Sequence, residues 1–395
     1  VPRAIRLGHA PNCSSLGNVL TFLVWSQAAL AALWVASESW PVKRRRREPD
    51  GSETKLVEEP PAIVTEGERE GPIEAHVQVT RDCALPCVSC HVEPSPGGPH
   101  VPLATLDERF ADLAARGVLR VALGGGESLR HPELPEIVAA ARRHGLAVGL
   151  TTSGVGPRRA LAGFDQVNIS LDGVGDSFRA SRGYDAELAL AAIRRHVAEG
   201  LRVGVNIVLD RRTFPELGDT VAAAVSAGAR DVQLLRLKPV GRAAADYLDR
   251  RLTPEQVLAL WPAVQELMAE NPGVTFRVDC SMVPMLAAHG VDPARMRQLD
   301  FLGCHGGDAM LSVDVDGAEH ACSFVSDAPG RADWRAGVTA APCAGCAWRD
   351  ICRGGCHAVA RHLTGDTFAP DPECPIVVGG VDFGGPKVDQ PEVQA

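Results

Sequence analysis

Three cysteines fall in the spacing C-x3-C-x2-C within Arg81-Asp82-Cys83-Ala84-Leu85-Pro86-Cys87-Val88-Ser89-Cys90. Three thiolates on one short loop can ligate three irons of a [4Fe–4S] cluster, which leaves the fourth iron free to bind and reduce a small molecule. The same residues are compatible with a zinc knuckle or a partial disulfide knot. Cys87-Val88-Ser89-Cys90-His91 also spells the C-x-x-C-H of haem attachment. Spacing alone keeps all of these open.

The remaining cysteines narrow the choice. The chain holds 12 in 395 residues, too few for a disulfide scaffold, and most lie in two groups. The second group runs from Cys280 through Cys304, Cys322, Cys343, Cys346, Cys352 and Cys356 to Cys374. Clustering of this kind reads as metal binding in a reducing compartment. A net charge of −9 and a pI near 5.8 argue against nucleic acid, whose phosphates demand a basic face.

Positioning such loops requires a regular scaffold. From residue 71 the pattern alternates, predicting strands at 76–80, 119–123, 147–151, 165–171, 202–209 and 231–237. Amphipathic helices are predicted between them at 103–116, 135–144, 187–199 and 216–227. Six repeats predict an α/β fold, a (βα)6 partial TIM barrel, with ligands beyond the C-terminal strand ends. At those ends lie the cysteine loop, Gly125-Gly126-Glu127, Thr152-Ser153-Gly154, Ser170 with Asp172, and Asn206.

The three-cysteine loop after the first strand, with Gly125-Gly126-Glu127 after the second, resembles the radical S-adenosylmethionine (radical SAM) superfamily over residues 73–242. The resemblance implies that the open iron chelates the amino and carboxylate groups of S-adenosylmethionine and that the Gly-Gly-Glu strand end receives the ammonium. Two glycines permit close backbone approach, and Glu127 offers a charge-assisted acceptor. By the same register Ser170 and Asn206 are candidate contacts to the carboxylate and ribose, and Arg182 a candidate carboxylate partner. One residue departs from the family: an aromatic side chain that packs on the adenine usually precedes the third cysteine, and here it is Ser89. A haem site would explain neither Cys83 nor Gly125-Gly126-Glu127.

The later cysteines, C-x12-G-x4-C followed by C-x2-C-x5-C-x3-C and C374, resemble the SPASM extension of radical SAM peptide and protein maturases. That resemblance implies two auxiliary iron–sulfur clusters. Cys343, Cys346, Cys352 and Cys374 would hold one. Cys304, Cys322 and Cys356 would hold the other, its fourth ligand being Cys280 or an open site for substrate. The plain alternative is that both clusters serve only as structural staples. Gly354-Gly355 would allow the tight turn before Cys356.

The function implied is reductive cleavage of S-adenosylmethionine to a 5′-deoxyadenosyl radical, followed by modification of a ribosomally made peptide or protein. The product would be a thioether, a carbon–carbon crosslink or an oxidised side chain. The alternatives are a related enzyme acting on a small metabolite and a non-catalytic electron-transfer protein. Expected partners are the precursor, an electron donor such as flavodoxin or ferredoxin, and a separate peptide-recognition protein, since no stretch resembles a winged-helix precursor-binding domain. No nucleic acid partner is expected.

The domain boundaries expected are 1–47 for an N-terminal segment, 48–71 for a linker rich in Glu and Pro, and 72–245 for the partial barrel. A helical connector at 246–303, a SPASM domain at 304–378 and a disordered tail at 379–395 follow. Residues 19–36 are uncharged and apolar, and Lys43-Arg44-Arg45-Arg46-Arg47 follows them. This predicts an apolar helix associated with a membrane, the bulk of the chain being cytoplasmic. The stretch around Cys13 is read as a helix entry with an idle thiol.

Overall fold

Alternation within the strands sorts the scaffold into two unlike faces. On strand β3 (Glu74–Thr80), Ala75, Val77 and Val79 are buried while His76 and Gln78 are partly exposed. Val121 and Leu123 of β4 (Arg120–Gly125), Val148 and Leu150 of β5 (Ala147–Thr152), and Val167 and Ile169 of β6 (Gln166–Ser170) continue the apolar face. Val205 and Ile207 of β7 (Val203–Leu209) and Val232 and Leu234 of β8 (Asp231–Arg236) complete it. The opposite face carries Gln78, Thr151, Asn168 and Asn206, all at least partly exposed.

Helices supply the cover for the apolar face. Leu106, Phe110 and Leu113 form the buried stripe of α1 (Leu103–Ala115), and α2 (Leu134–Arg143), α4 (Ala186–Ala198) and α5 (Leu217–Ser226) pack into the same core. A shorter helix, α3 (Asp176–Arg182), lies between β6 and α4. Each large side chain buried this way contributes about 1.5–3 kcal/mol. The polar face is thereby left as the side on which a hydrophilic ligand can lie.

The computed structural model describes residues 42–46, 55–59, 71–293, 303–325 and 338–379. The apolar run 19–36, the Cys13 stretch and the tail beyond residue 379 fall outside them. Among the described residues no helix is long and apolar enough to cross a membrane.

The sheet is larger than six strands. Among the described residues it has nine, in the order β11-β10-β3-β4-β5-β6-β7-β8-β9. Strand β9 (Thr275–Val278) follows α6 (Pro254–Glu270) and pairs in parallel with β8. Strand β10 (Met310–Val313) pairs in parallel with β3 at the other edge, and β11 (Glu319–His320) returns antiparallel to it. The stretch read as a helical connector therefore contributes a strand, and the cysteine-rich segment is joined to the sheet through β10. Runs of four residues lie at the lower limit of what periodicity can mark as strand. The stretch read as a linker also holds a strand, β2 (Lys55–Glu59), paired antiparallel with β1 (Val42–Arg46).

Candidate active site

Strand β3 delivers the three-cysteine loop, and its end is locked to the end of β4. Gly126 N donates to Thr80 O at 2.7 Å and Glu127 N to Asp82 O at 2.9 Å. Gly125 has φ +121°, and a Cβ there would lie 2.3 Å from Thr80 O; one on Gly126 would lie 2.5 Å from Asp82 O. The two glycines are thus required by the approach of β4 to the chain's own cysteine loop, a tighter demand than ligand approach alone. Asp82 braces the same corner, accepting from Arg130 Nε at 2.7 Å and Gly97 N at 2.9 Å.

Glu127 is buried, and its carboxylate is already engaged. Oε1 accepts from Leu129 N and Thr152 Oγ1, and Oε2 from Ser153 N and Ser153 Oγ. A carboxylate has about four lone-pair directions, and here each has a donor. In this arrangement Glu127 fixes the Thr152-Ser153-Gly154 strand end rather than presenting a free acceptor.

Cys83 and Cys87 are buried and Cys90 half-buried, all with free thiols. Burial pushes the Cys83 and Cys87 thiols up from their ordinary range, and the Arg182 charge partly offsets this at Cys87. The loop rests on the C-terminal end of α3: Val88 N donates to Ser181 O at 2.9 Å and Cys87 Sγ to Arg182 O at 3.7 Å. A Cβ on Gly183 would lie 2.4 Å from Pro86 Cγ.

The other residues expected at strand ends have these surroundings. Arg182 makes a two-point pair with Asp172, Nε to Oδ2 at 2.6 Å and Nη2 to Oδ1 at 2.9 Å, so its carboxylate partner is within the protein. Asp172 Oδ1 also accepts from Val208 N at 2.9 Å. Ser170 is buried and faces Asn206 in register across β6 and β7. Asn206 Oδ1 is a buried acceptor without a partner among the described residues. Ser89, where the family has an aromatic residue, accepts from Arg250 Nη2 at 2.6 Å. Arg250 is itself buried and held by Asp210 at 2.8 Å. Nothing in local sequence links Ser89 to Arg250, 161 residues away.

The later cysteines gather in two places. Cys343, Cys346, Cys352 and Cys374 line one cavity, together with apolar Pro342, Trp348 and Ile376. Cys304, Cys322 and Cys356 belong to a separate apolar cluster with Leu237, Tyr247 and Val359. Cys280, just beyond β9, lies within electrostatic reach of Cys304 and Cys322, and its thiol donates to Asp279 Oδ1 at 3.3 Å. Burial pushes Cys343, Cys304, Cys356 and Cys374 up to about 11 and Cys322 up to about 12. Thiols so reluctant to ionise become thiolates when a metal supplies the compensating charge. Four thiols lining one cavity, and a second set of cysteines in one apolar cluster, are the donor type that iron–sulfur centres use. Among the described residues no three His, Cys, Asp or Glu side chains are grouped to hold a single metal ion. Gly354 and Gly355 have φ of +92° and +89°, so the turn before Cys356 is one that only glycine adopts freely.

Comparison with known proteins points one way. Residues 77–223 match the profile of the Radical SAM superfamily. The PqqA peptide cyclase of Streptomyces rochei is 30% identical over 296 residues, 68% of this chain and 80% of that protein. The mycofactocin maturase MftC of Mycobacterium tuberculosis is 27% identical over 349 residues, 80% of this chain and 86% of that protein. In fold, the chain is similar to Streptococcus suis SuiB bound to precursor peptide SuiA. That likeness has a TM-score of 0.62 at 14% identity, over 77% of this chain and 76% of SuiB.

Proposed function

This chain belongs to the radical SAM superfamily, and from that premise we propose that it cleaves S-adenosylmethionine reductively and modifies a ribosomally made peptide or protein. The relatives support the substrate class, since both are peptide cyclases or maturases by name and SuiB has been solved with a precursor peptide. The observation that carries the reading is the lock between the two motifs. The three-cysteine loop and Glu127 form one hydrogen-bonded unit at the C-terminal ends of β3 and β4.

Cys83, Cys87 and Cys90 would hold the first [4Fe–4S] cluster. Cys343, Cys346, Cys352 and Cys374 would hold a second, and Cys304, Cys322 and Cys356 a third, with Cys280 as its fourth donor rather than an open site. The nearness of Cys280 to Cys304 and Cys322 supports that choice. When bound, the first cluster and S-adenosylmethionine supply a 5′-deoxyadenosyl radical that abstracts hydrogen from carbon.

The chain's own part is positioning. Glu127 holds the Thr152-Ser153 strand end in place for the methionyl head group, Gly125 and Gly126 set the height of the cysteine loop, and Asn206 Oδ1 offers an acceptor to a ligand hydroxyl. Arg182 steadies Cys87 while holding Asp172. The precursor would lie on the polar face beside Gln78, Thr151 and Asn168, between residues 72–245 and the auxiliary segment 304–378. An electron donor of the flavodoxin or ferredoxin type and a separate peptide-recognition protein complete the system.

The test is anaerobic reconstitution followed by dithionite and S-adenosylmethionine. Release of 5′-deoxyadenosine is expected, with a mass change in a co-expressed precursor peptide. Full cluster loading without any 5′-deoxyadenosine would overturn the reading.

A further inference from the structure

Two residues past β8, Lys238 is buried among groups that the catalytic reading does not use. Its side chain is 5% exposed and forms an ion pair with Asp279, itself 7% exposed. The ammonium also donates to Arg236 O at 3.4 Å and stands 4.4 Å from the centroid of the Phe324 ring. These contacts tie it to the third cysteine set. Asp279 precedes Cys280 and accepts from its thiol, and Phe324 lies two residues after Cys322. The ammonium is within electrostatic reach of all four thiols, those of Cys280, Cys304, Cys322 and Cys356.

A buried lysine is costly to desolvate, and packing alone would be served as well by an apolar side chain of similar volume. A fixed cation beside four thiolates has a specific electrostatic consequence. Adding one electron to an iron–sulfur centre makes it more negative by one charge, so a nearby cation stabilises the reduced form, and net charge near a cluster is a main determinant of its potential. Asp279 opposes this field while holding the ammonium in place: its carboxylate acts more strongly than the ammonium on Cys280 and Cys304, and the ammonium prevails over it at Cys322 and Cys356.

We infer that Lys238, held by Asp279, raises the reduction potential of the iron–sulfur centre on Cys280, Cys304, Cys322 and Cys356. This rests on the proposed assignment of those cysteines as cluster ligands.

The experiment is a redox titration followed by electron paramagnetic resonance on reconstituted full-length protein with Cys83, Cys87 and Cys90 changed to Ala. Only the two auxiliary centres then contribute. In Lys238→Met, one of the two signals should move to lower potential by about 59 mV, a tenfold change for one electron, while the other stays fixed as an internal control. Lys238→Arg should keep the original value. An unmoved pair of signals at undiminished iron content overturns the inference and leaves the cluster assignment intact. If Lys238→Met cannot hold its iron, Lys238→Gln decides: it removes the charge while keeping a polar donor for Asp279, so the signal should again move to lower potential, and a fixed signal overturns the inference. Absence of auxiliary iron in the parent protein would overturn the cluster assignment and the inference together.

Discussion

Arg236, the last residue of β8, forms a fully buried two-point pair with Asp371, three residues before Cys374. Nη1 lies 2.6 Å from Oδ2 and Nη2 lies 3.0 Å from Oδ1. Arg236 also reaches Glu373 at 2.8 Å, and Asp371 Oδ2 accepts from Cys356 N at 2.8 Å. One strand end of the sheet thus fixes the backbone that carries cysteines of both auxiliary sets.

Removing one partner of such a pair strands a buried charge, at a cost of about 3–5 kcal/mol. Arg236→Met is therefore expected to lower the denaturation midpoint and to lose auxiliary iron while keeping iron on Cys83, Cys87 and Cys90. Iron analysis with thermal melting checks this. Retention of the full iron content would mean that the pair is not what orders those cysteines.

How much of this was legible in the sequence depends on how far apart partners lie. Cys83, Cys87 and Cys90 stand out because three ligands of one centre on one loop must be close in sequence, and Gly125 and Gly126 because only glycine tolerates their contacts with Thr80 and Asp82. The alternation of apolar and polar residues likewise gave the six central strands. Arg236 with Asp371, Lys238 with Asp279, and Arg250 with Ser89 are separated by 135, 41 and 161 residues. A charged residue in sequence reads as surface, and only the fold shows that these are buried and paired. Strand β10 escaped for a related reason, since a run of four residues acquires its identity from the edge it joins.

Glu127 separates two roles that the sequence merges. If it acts by holding Thr152 and Ser153, then Ser153→Ala should weaken S-adenosylmethionine binding as Glu127→Gln does, and the double variant should be less than additive. Leaving a buried donor or acceptor without its partner costs about 1–3 kcal/mol, so a loss of roughly tenfold in affinity is expected for either single change. Isothermal titration of the reconstituted protein measures it. A Ser153→Ala variant that binds normally would assign Glu127 a direct contact instead.

Acid stability should depend on Glu74. Burial pushes its carboxyl up, but Arg120 at 3.8 Å and His76 at 3.4 Å outweigh this and hold it at about 2, against 4.5 for an unperturbed group. A folded-state value below the unfolded one gives stability that is present above pH 4.5 and lost as the pH falls towards 2. The difference corresponds to roughly 3 kcal/mol. Urea midpoints of the cluster-free chain should fall across that window, and Glu74→Gln should flatten the fall. An unchanged slope in the variant would remove Glu74 from the account.

The two cysteine groups should fail differently. Cys87→Ala removes a proposed ligand of the first cluster and should abolish 5′-deoxyadenosine release. Cys346→Ala removes one thiol from the cavity lined also by Cys343, Cys352 and Cys374, and should leave some release while losing modified peptide. Chromatography of the nucleoside and mass spectrometry of the peptide separate the two outcomes. Equal loss in both variants would make the second group chiefly structural.

Cys280 gives the last test, because ligand counting and geometry bear on it separately. Seven cysteines follow the auxiliary pattern, and two fully ligated four-iron clusters need eight. Cys280 lies outside that pattern, but β9 ends two residues before it and brings it near Cys304 and Cys322. The parent protein should bind about twelve irons, four per cluster. Cys280→Ala should lose iron from one auxiliary centre while the other and the first cluster stay loaded. If the variant instead keeps all its iron and the same spectrum, the third cluster has an open iron, and direct binding of a substrate thiolate there becomes the better reading.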